Sequence, residues 1–308
     1  MTSVQSLAEL SALIQQVRQA AKALAKVEHT TQALHRLAKS LRAATDTILE
    51  ANTLDLEASL EMAVPETVVE WLKLTPERLN TAITIVERLA NLDAVTSFTY
   101  DSQLAIAPTT HSYLLGEPLG IVAFVYEAFP ELAIVVAGLC LRAGNGLMLK
   151  GGHEASQTNQ AIAQVFQSAL TQADLPAQVV LAISPSEGEA ARRWLMQTTE
   201  LDLLIPYGRT SLVEQVMREA NSPSLSTAIA NCYLYWSHAV PTERVASMVI
   251  DSHCGNPAPV NGIEKILVDD KVSDSDIQAL SQLLKAQQLT VKIVPPPSMS
   301  PFTNPEAE

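Results

Sequence analysis

The feature that most constrains the fold is a regular alternation of short apolar runs and helix-length segments in the middle of the chain. The apolar runs cover residues 120–126, 147–150, 177–183 and 201–205. The segments between them have ten or more residues with helical character and cover 131–142, 157–173 and 187–197. Strands connected by helices of this length are typical of a parallel sheet whose two faces are both covered. The alternation therefore predicts a Rossmann-like α/β core.

The flanking segments predict three further regions. Residues 4–60 repeat apolar positions at helical spacing without a proline, which predicts two long amphipathic helices. Thr75 and Pro76 suit the N-cap and first position of another helix that reaches about residue 92. We predict an N-terminal helical region over 1–95 that packs on the nucleotide-binding core, which covers 96–207. A second α/β lobe over 208–294 is predicted to end in a strand at 290–294. Residues 295–308 are predicted to form a Pro-rich flexible tail.

Composition narrows the range of partners. The chain has 33 acidic and 20 basic residues and a net charge of −13, which disfavours binding to nucleic acid or to an anionic membrane surface. Cys140, Cys232 and Cys254 form neither an even framework nor a CxxC pair, so we expect a reducing compartment and no metal cage. The sequence also predicts no secretory signal and no membrane-spanning segment. We therefore expect a cytoplasmic protein that binds small molecules or other proteins.

One block of sequence resembles a known family. Residues 115–159 read LGEPLGIVAFVYEAFPELAIVVAGLCLRAGNGLMLKGGHEASQTN. This block is similar to the core of the gamma-glutamyl phosphate reductases, which are members of the aldehyde dehydrogenase superfamily. The segments ILEANTLDLEASLE, LKLTPERLN and LDLLIP, and the residues from Cys232 to Glu264, extend the resemblance to about residues 15–294. It implies an aldehyde-dehydrogenase-like α/β fold with a helical N-terminal region, a Rossmann-like parallel sheet and a second α/β lobe.

The resemblance also implies a reaction and a reactive residue. Members of the family use NADPH to reduce L-glutamyl 5-phosphate to L-glutamate 5-semialdehyde in proline biosynthesis, through a thioester on one cysteine. A thiolate is needed because the nucleophile must displace phosphate and later leave. In this chain Val260 occupies the cysteine position, between Pro257 and Glu264, which match the family, and valine can do neither step. Cys254, with His253 as its base, is expected to point away from the pocket.

Other positions depart from the family as well. The family has arginine and asparagine where this chain has Phe129 and Glu131, so we expect repulsion of an anionic substrate. In the turn IPYGR, Tyr207 and Arg209 replace an arginine and a glycine of the family, and Gly208 is retained.

The resemblance makes Lys150, Gly151, Gly152 and Gly208 the candidate cofactor-binding residues. For the glycines the alternative is an ordinary turn role, and for Lys150 it is a solvated strand-end side chain.

Together these departures predict a truncated, catalytically degenerate relative. The family continues well beyond the position of Val294, so the second lobe is expected to be incomplete and covered by a protein partner or a second chain. The favoured interpretation is a pseudoenzyme without a catalytic residue that serves as a non-redox binding, regulatory or structural subunit of a complex. Two alternatives stay open: an NADPH-dependent glutamate-5-semialdehyde dehydrogenase, and a nucleotide-binding protein without turnover. No cofactor is expected, or NADPH if binding is retained.

Overall fold

The computed structural model of the 308-residue chain forms two compact units, Met1–Ala228 and Ile229–Glu308. The residues that the structure describes are 1–25, 27–92, 98–100, 113–184, 188–227, 232–253 and 262–294. Among them, no helix combines the length and the apolar character needed to cross a membrane.

The first unit begins with five helices. They are α1 (Leu7–Ala21), α2 (Val27–Ala43), α3 (Thr45–Glu61), α4 (Glu66–Leu72) and α5 (Pro76–Ala90). The predicted start of α5 is confirmed, since the Thr75 hydroxyl accepts a hydrogen bond from the backbone N–H of Arg78 and Pro76 opens the helix. The prediction of two helices over residues 4–60 is wrong, because α1, α2 and α3 are separate.

The break between α1 and α2 has a physical reason. Leu10 and Ile14 of α1 belong to one apolar cluster, whereas Leu34 and Leu37 of α2 belong to another. The chain passes from one side of the central sheet to the other between these helices, so their apolar faces point in different directions. Helical spacing in the sequence shows which residues share one face of a helix, but not which side of the sheet that face covers.

The central sheet confirms the predicted α/β core. After the short antiparallel pair β1 (Phe98–Tyr100) and β2 (Tyr113–Leu115), the chain forms four parallel strands. These are β3 (Ile121–Tyr126), β4 (Gly146–Gly151), β5 (Val180–Ala182) and β6 (Leu203–Tyr207). The helices α6 (Pro130–Arg142), α7 (Ser156–Gln172) and α8 (Gly188–Gln197) connect them, and α9 (Thr210–Glu219) follows β6.

Side chains alternate between the two faces of the sheet. Val122, Phe124 and Tyr126 of β3 lie in the cluster that includes the buried residues of α2, α5, α6 and α7. Ala123 and Val125 lie in the cluster formed with α1, α8 and α9. Every residue of β3 and β4 is buried, which explains why these strands appear in the sequence as continuous apolar runs.

The strand order positions the site. The order is β5-β4-β3-β6, so the chain moves outward from β3 to β5 and then returns to pair β6 on the other side of β3. In open α/β sheets ligands bind outside the carboxyl ends of the strands, at the point where the order reverses. In this chain that point lies between the ends of β3 and β6.

The second unit contains a smaller parallel pair. Strand β7 (Tyr233–Trp236) pairs with β8 (Lys265–Val268), and α10 (Thr242–Ser252) and α11 (Asp274–Ala286) complete the unit. Its core contains Trp236, Val245 and Leu280. The predicted strand at 290–294 is wrong: these residues are irregular, and their backbone is not paired with any strand of the described sheets. The predicted tail, 295–308, lies outside the described residues.

Candidate functional site

The candidate site lies at the carboxyl ends of β3, β4 and β6. Tyr126 at the end of β3 is in register with Gly151 on one side and with Tyr207 on the other. Because neighbouring strands are about 4.8 Å apart, the segments that follow these three residues converge on one edge of the sheet. All four predicted cofactor-binding residues lie in or directly after these strand ends.

The turn after β3 has an unusual backbone. Ala128 and Phe129 both have left-handed conformations, with φ of 49° and 39°. A non-glycine residue in this region is strained by about 1–3 kcal/mol, and such residues cluster at functional sites. Two hydrogen bonds hold the turn: Ala128 N donates to Glu154 Oε1 (2.6 Å), and Glu127 N donates to the carbonyl of Tyr207 (2.9 Å). Pro130 then begins α6.

An ion pair spans the point where the strand order reverses. The carboxylate of Glu127, after β3, accepts hydrogen bonds from three donors of Arg209, after β6. The donors are the backbone N (3.1 Å), Nε (3.0 Å) and one terminal guanidinium nitrogen (2.9 Å). Glu127 is buried, whereas about half of the Arg209 side chain is exposed. The hydrogen bonds to Glu127 raise the pKa of Arg209, so this guanidinium stays charged.

Phe129 forms the centre of an aromatic cluster beside this ion pair. Its ring stacks on Trp71 at a centroid distance of 5.2 Å and meets Tyr207 edge-on at 5.5 Å. The guanidinium of Arg78 lies over the same ring at 5.8 Å. Arg78 also forms an ion pair with Glu131, in which its Nε donates to Oε1 at 3.0 Å.

The ion pair between Arg78 and Glu131 changes one sequence-based expectation. Repulsion of an anionic substrate by Glu131 is not supported, because Arg78 neutralises this carboxylate. Both side chains are largely buried, at 15% exposure each. Position 131 therefore presents no unpaired negative charge to a ligand.

The four predicted cofactor-binding residues have clear partners within the chain. Lys150 is buried, with 5% exposure, and its Nζ donates to the carbonyl of Gly151 (2.8 Å), so it is not a solvated strand-end lysine. A Cβ on Gly151 would lie 2.2 Å from Nδ2 of Asn159. A Cβ on Gly152 would lie 2.1 Å from Oε1 of Glu154.

Gly208 is constrained in two ways. Its φ is 148°, and a Cβ at this position would lie 2.9 Å from Cβ of Glu127. Gly208 is therefore constrained by its backbone conformation, whereas a Cβ at position 151 or 152 would displace the side-chain end of Asn159 or Glu154. Cofactor binding by the three glycines and by Lys150 stays a prediction.

Residues 254–261, which hold Cys254, Val260 and most of the predicted reactive loop, lie outside the described residues. On its near side, Nε2 of His253 lies 3.0 Å from the carbonyl of Ile263, so this ring nitrogen is engaged with the backbone. In the described part of the chain, no group of three or more His, Cys, Asp or Glu side chains is arranged to hold a metal ion.

Sequence reasoning missed several residues of the site. Trp71 lies in α4, a seven-residue helix that the apolar pattern did not predict. Glu154 was noted only as a match to the family, and Arg78 only as part of the LTPER segment. That segment was the one available signal for Arg78, because nothing in the sequence indicates that α5 brings its guanidinium over the Phe129 ring.

Comparisons with known proteins give a consistent picture. The sequence model of the aldehyde dehydrogenase family matches residues 3–306. Gamma-glutamyl phosphate reductase 2 of Synechocystis sp. is 42% identical over 261 residues, which cover 83% of this chain and 61% of that protein. Gamma-glutamyl phosphate reductase of Gloeobacter violaceus is 33% identical over 293 residues, covering 93% of this chain and 68% of that protein.

A solved structure agrees with these relatives. The crystal structure of gamma-glutamyl phosphate reductase from Thermotoga maritima superposes with a TM-score of 0.78 at 25% identity, covering 91% of this chain and 68% of that one. The chain thus spans about three fifths to two thirds of the length of the proteins it matches, 61% for the Synechocystis relative and 68% for the Thermotoga structure.

Proposed function

We propose a function for this chain, which belongs to the aldehyde dehydrogenase family. It is a non-redox relative of the gamma-glutamyl phosphate reductases and serves as a binding or regulatory subunit. One observation carries the proposal. The four positions that depart from the family pattern at the strand ends all hold side chains that are engaged with other residues of the chain. These positions are Phe129, Glu131, Tyr207 and Arg209.

The contacts fill the place where a ligand would enter an open α/β sheet. Phe129 meets Tyr207 across the ends of β3 and β6, and Arg209 pairs with Glu127 across the same two strands. A charged pair with three hydrogen bonds must be separated before a ligand can occupy its position, which costs free energy that the ligand has to repay. These contacts close the strand ends: Phe129 and Tyr207 contact each other. Arg209 and Glu131 form ion pairs with other residues of the chain.

The reactive loop supports the same proposal from the sequence. The resemblance places Val260 where the family has its cysteine, and a valine side chain has no lone pair with which to attack a carbonyl. Replacing Val260 by Cys alone is expected not to restore activity, because the closed contacts around Phe129 remain. Reductase activity in Val260→Cys would show that these contacts do not obstruct the substrate.

The subunit role is tested by native mass spectrometry of the chain isolated from its own cells under mild conditions. The proposal predicts a stoichiometric complex that contains a second, different protein. A mass that corresponds to this chain alone, at concentrations where complexes of micromolar affinity persist, would contradict the role as a subunit.

A second candidate function, NADPH-dependent reduction of glutamyl phosphate, is favoured by the 42% identity to a gamma-glutamyl phosphate reductase. It requires another nucleophile, and Cys254 is the nearest cysteine to position 260 in the sequence. A catalytic cysteine has a lowered pKa and reacts quickly with iodoacetamide at pH 7. Mass spectrometry of the alkylated chain provides internal references, since burial raises the pKa of Cys140 to about 12 and Cys232 is partly exposed.

The two functions predict different alkylation rates at Cys254. The non-redox proposal predicts a rate no faster than that of a free thiol with an ordinary pKa of about 8.5. A much faster rate, slowed by NADPH, would favour the reductase.

Nucleotide binding without turnover is supported by the convergence of Lys150, Gly151, Gly152 and Gly208 at one edge of the sheet. A ligand of the native state stabilises it by about 2.7 kcal/mol at one hundred times its Kd. For a unit of this size that is a rise of roughly 5–10 °C in the unfolding midpoint. A midpoint unchanged by millimolar NADPH would exclude this form of the proposal.

A further inference from the structure

A second pocket lies at the opposite edge of the central sheet. It has a volume of about 390 Å³, and its lining includes Arg18, Lys22, Thr30, Gly120, Arg142 and Gly144. Gly120 precedes β3 and Gly144 precedes β4, so this amino-end pocket lies at the start of the strands. Because β3 has six residues with a rise of about 3.3 Å each, the pocket is about 20 Å from the candidate functional site.

The pocket lies in a basic part of an acidic protein. Residues 10–45 hold six Lys or Arg residues and one acidic residue, Glu28, whereas the whole chain has a net charge of −13. Among the described residues, the lining has three basic side chains, Arg18, Lys22 and Arg142, and no acidic one, although Asp202 pairs with Arg18 beside it. This local excess of positive charge favours an anionic ligand.

Arg142 has donor capacity that the chain does not use. It is the last residue of α6 and only 7% exposed. One terminal guanidinium nitrogen donates to Oγ1 of Thr31 (2.9 Å), and Nε is buried without a hydrogen-bond partner in the described part of the chain. A buried, unsatisfied donor on a charged group is unfavourable, and a bound acceptor would relieve that cost.

The other two cations differ in how firmly they are held. Arg18 is fixed by an ion pair with Asp202 (2.8 Å) and by a hydrogen bond to the carbonyl of Glu200 (2.7 Å). A Cβ on Gly120 would lie 2.2 Å from Oδ2 of Asp202, so glycine is required to keep this ion pair in place. Lys22 is exposed and forms no ion pair with the described residues, which leaves its ammonium group available.

We propose that the amino-end pocket binds a phosphate group, either as inorganic phosphate or as part of a small phosphomonoester. Phosphate carries close to two negative charges at pH 7 and presents several acceptor oxygens. A planar guanidinium donates in pairs to such oxygens, and a lysine adds a mobile charge. The volume lies at the lower end of the range for small-molecule sites, so it admits a phosphate with a small body attached.

The site is tested by isothermal titration calorimetry of the full chain with inorganic phosphate and with AMP. Each titration is matched by sodium chloride at equal ionic strength, because general screening also changes the heat. We expect saturable binding of at least one probe. Tighter binding of AMP would identify a phosphomonoester as the ligand type, and equal or tighter binding of inorganic phosphate would identify the free ion.

Three variants locate the binding. Arg142→Gln is expected to weaken it at least about tenfold, since it removes a charged hydrogen-bond donor. Lys22→Ala is expected to weaken it severalfold and, because the side chain is exposed, to leave folding unchanged. Lys285→Ala, an exposed lysine in the second unit, is the matched control and should bind as the wild type does.

Two results would overturn the proposal. One is the absence of saturable heat above that of chloride for both probes. The other is binding in Lys22→Ala equal to that of the wild type, or binding in Lys285→Ala reduced as much as in Lys22→Ala. Circular dichroism shows whether Arg142→Gln is folded, and if it is not, Lys22→Ala alone decides.

Discussion

The ion pair between Glu127 and Arg209 gives the sharpest prediction about the closed site. Glu127→Ala removes the acceptor of three hydrogen bonds and leaves the backbone N–H of residue 209 without its partner. The charged side-chain part is discounted to about 1 kcal/mol because half of Arg209 is exposed, and the lost backbone hydrogen bond adds about 1 kcal/mol. We therefore expect Glu127→Ala to lower the free energy of unfolding by about 2 kcal/mol.

Arg209→Ala removes only the hydrogen bonds of the side chain and is expected to lower the free energy of unfolding by about 1 kcal/mol. The double variant should be no less stable than Glu127→Ala, which gives a coupling energy of about 1 kcal/mol. Arg88→Ala, an exposed arginine without an ion pair in the described residues, is the control and should change stability by less than about 0.5 kcal/mol. Chemical denaturation followed by tryptophan fluorescence measures all four values.

The reasoning fails if the two single effects are additive. Additivity within about 0.3 kcal/mol would mean that the two side chains do not interact in solution. The ion pair would then not contribute to closing the ends of β3 and β6.

Four further predictions concern three residues, Asp55, Cys140 and Gly208. Asp55 is buried and accepts hydrogen bonds from Gln157 N (3.0 Å), Thr158 N (2.8 Å) and Thr158 Oγ1 (2.7 Å). Asp55→Ala should therefore lower the free energy of unfolding, measured by chemical denaturation, by about 3 kcal/mol. Burial raises the pKa of Asp55. The stability of the wild type relative to Asp55→Asn should therefore be greatest below the ordinary pKa of 3.8 and should fall as pH rises through the raised pKa. A constant difference in stability from pH 3 to 8 would contradict this prediction. Cys140, whose pKa burial raises to about 12, should be alkylated only after unfolding, and rapid labelling at pH 7 would show that α6 opens locally. Gly208→Ala should lower the thermal midpoint by several degrees, because φ of 148° and the contact with Glu127 both exclude a Cβ.

The sequence was sufficient to predict the core of the fold. The runs at 120–126 and 147–150 correspond to β3 and β4, because both faces of these strands are buried and almost every residue is therefore apolar or small, with Lys150 as the charged exception. Two features were not visible in this way. The change of side between α1 and α2 depends on tertiary packing, and the residues at 290–294 do not pair with any strand of the described sheets.

The site was predictable in position but not in its contacts. Lys150 and Gly208 were candidates only through the family resemblance, and the structure places both at the edge where parallel strands bring their carboxyl ends together. The partnership of Glu131 with Arg78 joins residues 53 positions apart in the sequence, and no local pattern encodes it. The sequence alone therefore suggested a repulsive charge at a position that the structure shows to be neutralised.

The central claim is that this chain does not catalyse the redox reaction of the relatives it resembles. It is tested most directly by incubating the purified chain with glutamate 5-semialdehyde, NADP⁺ and inorganic phosphate and recording NADPH formation by its absorbance. The account predicts no rate above the blank at any protein concentration. A rate that is proportional to protein concentration and is abolished in Cys254→Ser would contradict it.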